Sequence, residues 1–160
     1  MENISKHITY NEAIHSSTAK RLGIDNVPDA KQLENMKALA ENIFEPLRLW
    51  VGGAIKVNSF FRSEDLNKAI GGASSSQHMC LMGSSAIDID DVYGYKTNKE
   101  MFEWIRLNCS FDQLIHEFGE PYPNGNPAWI HVSYIDGKKN RNRCLVAEKE
   151  FGKTGYKIIK

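Results

Sequence analysis

Between Leu33 and Leu47, apolar residues recur at steps of three and four: Leu33, Met36, Leu39, Ala40, Ile43, Phe44 and Leu47. That spacing places them on one stripe of an amphipathic helix that faces a core. Asp29 stands where it can cap this helix, Gln32 supplies the third position of a capping box, and Gly52-Gly53 closes the helical region. The period then drops to two. Ala54 to Phe60 alternates as a half-buried strand does, Ser63 to Ile70 reads as a short helix stopped by Gly71-Gly72, and Ala73 to Ser85 is a loop of small and polar residues. On the strand that follows, Ala86, Asp88 and Asp90 share one face, and Ile87 and Ile89 the other. A helix opening at Asn98 carries Met101, Phe102, Trp104 and Ile105; Phe111 to Glu117 is a strand, Pro121 to Pro127 a loop, and Ala128 to Tyr134 a strand. Two further strands, around Cys144 to Ala147 and Tyr156 to Ile159, extend the sheet. Ahead of the long helix, Tyr10 to Ser16 has short helical character and Leu22 to Asn26 forms a turn-rich connection.

A chain of 160 residues without repeat or linker predicts one domain over residues 1–160. With 41% hydrophobic and 25% charged residues, the chain can bury its own core without metal or disulfide staples. Twenty basic residues balance twenty acidic ones, so no global field favours nucleic acid or an anionic membrane. The basic run from Lys138 to Arg143, after the Asp136-Gly137 turn signal, is expected to be a solvated hairpin tip. Three scattered cysteines, Cys80, Cys109 and Cys144, argue against a disulfide framework and for synthesis in a reducing cytoplasm. Met1 to Tyr10 is polar and unlike a signal peptide, and no apolar run is long enough to span a bilayer.

The chemistry lies in three separated blocks. Ser76-Gln77-His78 is followed ten residues after the histidine by Asp88, and Trp129-Ile130-His131 closes the set. Two imidazoles and one carboxylate suit zinc, which takes nitrogen and oxygen donors at about 2.0–2.2 Å and, in catalytic sites, keeps a fourth position for water. Asp90 and Asp91 are rival carboxylates, and Cys80 is a softer rival ligand. His7 and His15 have no evident partners and read as solvated.

With the runs Ser59-Phe60-Phe61-Arg62-Ser63, Leu66-Asn67, Gly71-Gly72, Ala86-Ile87-Asp88-Ile89 and Trp129-Ile130-His131-Val132-Ser133, the chain resembles the zinc D-alanyl-D-alanine peptidase family over roughly residues 8 to 135. That family comprises D,D-carboxypeptidases, D-Ala-D-Ala dipeptidases and phage endolysins. The resemblance implies an α+β fold, a small antiparallel sheet with helices packed on one side, with one Zn2+ per chain held by His78, Asp88 and His131, and hydrolysis of peptidoglycan stem peptides. It also implies that Arg62 holds a substrate carboxylate or carbonyl, for which a planar guanidinium is well suited, and that Ser76 binds substrate or orients its loop. The family pattern S-x-H-x-x-G-x-A-x-D is lengthened by three residues between His78 and Asp88. Where relatives carry a base near the last ligand, this chain has Ala128 and Trp129. Glu117, in a block similar to one in phage-type relatives, is the expected general base; His116, on the other face, is the alternative. A monomer acting on the cell wall in a phage or prophage lysin context is the expected setting. An inactive zinc-bearing wall-binding or structural module is the alternative function.

Overall fold

The computed structural model describes residues 1–136 and 138–159, so Gly137 of the expected turn lies outside the described residues. Six strands form one sheet: β1 (Lys56–Ser59), β2 (Ser85–Asp90), β3 (Gln113–Glu117), β4 (Trp129–Tyr134), β5 (Arg143–Glu150) and β6 (Lys153–Ile158). Their spatial order is β1-β2-β4-β3-β5-β6. All neighbouring pairs are antiparallel except β3 and β5, which run parallel. The six strands are those expected, and the sheet is mostly antiparallel, with one parallel pair that was not expected. Its connectivity explains the parallel pair. Both edges of β4 are taken, by β2 and β3. The chain leaving β4 passes the start of β3, where Asn142 N donates to Phe111 O and Arg143 N to Asp112 O, and pairs with the free edge of β3.

Among the described residues, six α-helices accompany the sheet: α1 (Tyr10–Ile14), α2 (Ser17–Leu22), α3 (Ala30–Leu39), α4 (Glu45–Val51), α5 (Glu64–Ala69) and α6 (Asn98–Asn108). α3 opens with the expected Asp29–Gln32 capping box and runs into α4 through a π-helical turn at Ala40–Phe44. That turn re-aims the stripe, so that Met36, Leu39, Ala40, Ile43, Phe44, Leu47 and Val51 all stay buried. α2 is an element the hydrophobic pattern did not indicate. Its signals are polar: the Ser16 hydroxyl accepts from Ala19 N, and Gly23 ends the helix in the left-handed conformation.

Helices α1, α3 and α4 pack their apolar side chains, with Met101, Phe102 and Ile105 of α6, on the sheet face formed by Ile87, Ile89, Leu114, Ile130, Val132 and Cys144. On the opposite face a small apolar cluster, Ile115, Leu145 and Ala147, lies beside the polar residues of the site. None of the described helices is long and apolar enough to cross a membrane. The basic run is not wholly solvated: Arg141 grips the fully buried carboxylate of Asp112 through Nε at 2.9 Å and Nη2 at 2.8 Å. His7 likewise has a partner, Glu45, at 2.6 Å.

Candidate metal centre

Asp88 on β2 and His131 on β4 are register partners, so both side chains rise from the same sheet face. His131 Nδ1 lies 3.0 Å from Asp88 Oδ1. His78 arrives from outside the sheet, on a single 3-10 turn at Gln77–Met79, and its Nε2 lies 3.3 Å from Asp88 Oδ2. One donor atom from each of the three residues falls within 4.8 Å of the others. Ligand atoms at the corners of a zinc tetrahedron are about 3.3 Å apart, from bond lengths of about 2.0–2.1 Å. The 3.0 and 3.3 Å separations end on different oxygens of Asp88, and each is close to that edge.

The protonation of the group also suits a cation. His78 Nδ1 is 2.8 Å from the Phe60 carbonyl, which can only accept, so Nδ1 carries the hydrogen. Burial pushes the His78 pKa down, against the opposing pull of Asp88, and Nε2 is the ring nitrogen that faces the carboxylate. Burial would raise the Asp88 carboxyl, but the charges and hydrogen bonds of His78 and His131 outweigh it and hold the group well below the usual carboxylate range. The donor set therefore fits a metal such as zinc, with neutral imidazole and ionised carboxylate as the ligating forms.

The segment between His78 and Asp88 is held by α3, which keeps His78 close to Asp88 and His131. Gln32 Nε2 donates to Met79 O at 3.0 Å, Asn35 Nδ2 to Cys80 O at 2.9 Å, and the Ser85 hydroxyl to Asn35 O at 2.9 Å. Among the rival ligands, Cys80 is fully buried outside the donor group, and burial pushes its thiol up to about 12. Asp90 and Asp91 are engaged at the entry to α6: Asp90 Oδ1 accepts from Asn98 Nδ2 at 2.7 Å, and Asp91 Oδ2 from Asn98 N at 2.6 Å.

Glu117 lies on β3, one pleat along from Ile115, which is the register partner of His131. It is thus on the site face and is 7% exposed. Burial raises its carboxyl to about 7, with His131 lowering it and Asp88 adding to the rise. Register continues from Glu117 to Ala147 and on to Tyr156 of β6, whose phenol is raised by burial and then by the charges of Glu117 and Asp88. His116 points the other way, packed edge-on against Phe102 and Tyr122, so it is removed from the site.

Arg62 borders the group with Nη2 3.4 Å from Asp88 Oδ2, Nε bonded to Ser59 Oγ at 3.2 Å, and its backbone N–H donating to His78 O. Buried Asn26 supports the residues on either side, donating to Phe61 O and accepting from Ser63 N. Ser76 caps the His78 turn, its hydroxyl accepting from His78 N at 3.4 Å. The supporting residues Asn26, Asn35 and Phe60 carry no local signal in the sequence, since each acts on a partner 18 or more positions away.

No curated protein matches the chain. A model of the peptidase M15 family matches residues 6–133, a span that contains His78, Asp88, His131, Arg62 and Glu117 and ends before β5. The chain belongs to the peptidase M15 family, a family of metallopeptidases.

Proposed function

We propose that this protein is a zinc peptidase that hydrolyses a peptide bond in the stem peptides of peptidoglycan. The observation that carries the reading is the convergence of His78, Asp88 and His131 within 4.8 Å, with buried Glu117 on the same sheet face. Zinc held by those three residues would supply a Lewis-acidic centre for water and for the scissile carbonyl.

The remaining steps fall to side chains of the chain. Glu117 is raised to about 7, close to the pH at which a general base works best. It takes a proton from the attacking water as the oxygen bonds to the carbonyl carbon, then delivers that proton to the departing amine as the C–N bond breaks. Products are one carboxylate and one amine, and Glu117 is regenerated. Arg62, beside Asp88, holds a peptide carboxylate or carbonyl with its free guanidinium edge. Ser76 keeps the His78 turn oriented at the substrate side. Glu117 also bears on the alternative of an inactive module, because it fills the role for which Ala128 and Trp129 have no suitable group. The likeness of the Gln113–Glu117 block to phage-type relatives supports a phage-lysin setting.

The test combines elemental analysis with digestion of a D-residue-containing stem peptide. About one zinc per chain, with turnover in the parent and none in a Glu117→Ala variant that keeps its zinc, is the expected result. Zinc without turnover in the parent would establish the inactive module instead, and no zinc would end the hydrolase reading.

A further inference from the structure

Asp112 stands immediately before β3 with its side chain completely out of water. Both oxygens are in use. Oδ1 accepts from Arg141 Nε at 2.9 Å and from Arg141 N at 3.2 Å; Oδ2 accepts from Arg141 Nη2 at 2.8 Å and from Gln77 Nε2 at 2.9 Å. Its backbone joins the same junction, donating to Ser133 O and accepting from Arg143 N. One donor to this buried carboxylate is therefore the residue next to His78.

An ion pair between a buried carboxylate and a half-exposed guanidinium contributes little net stability, because desolvation of the carboxylate offsets the attraction. What it fixes is geometry. The turn that carries His78 is three residues long, and the segment leading into it from Gly71 to Ser75 is mostly exposed. α3 secures the C-terminal side of the turn through Gln32 and Asn35. The Gln77–Asp112 bond ties the turn to the β3 side of the sheet, where Glu117 lies. Burial would raise the Asp112 carboxyl, but the bonds from Arg141 and Gln77 keep it below its ordinary range, so it stays an anion able to hold both donors.

We propose that Arg141 and Asp112 form a positioning pair for the first metal ligand, holding Gln77 so that His78 Nε2 stays at the separation from Asp88 and His131 that a single cation spans. This rests on the zinc reading above. Arg141 lies beyond residues 6–133, so a ligand set within the family span depends on a side chain supplied from outside it.

The test is a zinc dissociation constant for the full chain, measured by competition with a chromophoric chelator, for the parent, Arg141→Ala, Gln77→Ala and the double variant, with thermal unfolding recorded alongside. Loss of a partner outside the ligand shell weakens metal binding about 10-fold or more. Each single variant is expected to bind zinc about 10-fold more weakly, and the double variant about 10-fold rather than about 100-fold, because both act through one contact. Unchanged affinity in Arg141→Ala, or effects that multiply in the double variant, would overturn the pairing and leave the zinc site standing. If Arg141→Ala does not fold, Gln77→Ala decides alone, since it leaves the Arg141–Asp112 pair intact; unchanged affinity there overturns the proposal. A parent that binds no zinc overturns the zinc reading and the positioning role together.

Discussion

Replacing Glu117 by Gln should stabilise the metal-free protein at alkaline pH while removing its proposed activity. The side chain is 7% exposed, and its carboxyl is raised from 4.5 to about 7, chiefly by burial. Between those two values the folded protein keeps a proton that the unfolded chain has released. Stability therefore falls as pH rises through that window, and the deficit is complete above about pH 7. A shift of about 2.5 units at about 1.4 kcal/mol each amounts to about 3 kcal/mol. Gln is nearly isosteric and never ionises, so the variant escapes this penalty. Urea unfolding of parent and variant at pH 5 and pH 8, both stripped of metal, isolates the effect, because titrating groups that do not interact with Glu117 cancel in the difference between the two proteins. The variant's advantage should grow by about 2–3 kcal/mol from pH 5 to pH 8. With zinc bound, the nearby positive charge favours the ionised carboxylate and the advantage should shrink. An advantage independent of pH would show that Glu117 is not held out of water beside an anion, and the assignment of Glu117 as a base would lose its physical support.

Asp88→Asn removes the anion on which His78, His131 and Arg62 converge; the zinc content measured by elemental analysis should drop from about one per chain to near zero, and retained zinc would refute the ligand role. Stripping zinc with a chelator should lower the melting temperature of the parent by about 5–10 °C, from about 2.7 kcal/mol of linkage at a hundredfold excess over Kd, and should leave His131→Ala unmoved. Asn98→Ala breaks bonds to Asp90 Oδ1, Pro127 O and Ala128 O at a site 1% exposed. It should cost about 2–3 kcal/mol in urea unfolding, and a neutral result would mean that the entry to α6 is not held by this side chain.

The sequence by itself determined whatever depends on neighbours within a few positions. The Asp29–Gln32 capping box starts α3 as read, because its bonds span three residues. Alternation on β2 puts Ile87 and Ile89 into the core and Asp88 on the site face, and on β3 it separates Glu117 from His116, because a pleated strand leaves each side chain only two directions. Ligand chemistry was equally legible, since only certain side chains can donate to zinc. Tertiary structure decided the rest. Asp88 outranks Asp90 and Asp91 because those two are engaged with Asn98, and the tautomer of His78 is set by a carbonyl 18 positions away. The basic run turned inward at Arg141 because Asp112, buried 29 positions earlier, needed a cation. The parallel β3–β5 pair arose because both edges of β4 were already occupied. Such outcomes depend on which distant groups the folded chain brings together and on which buried charges must be paired, and no local period of two or 3.6 residues encodes either.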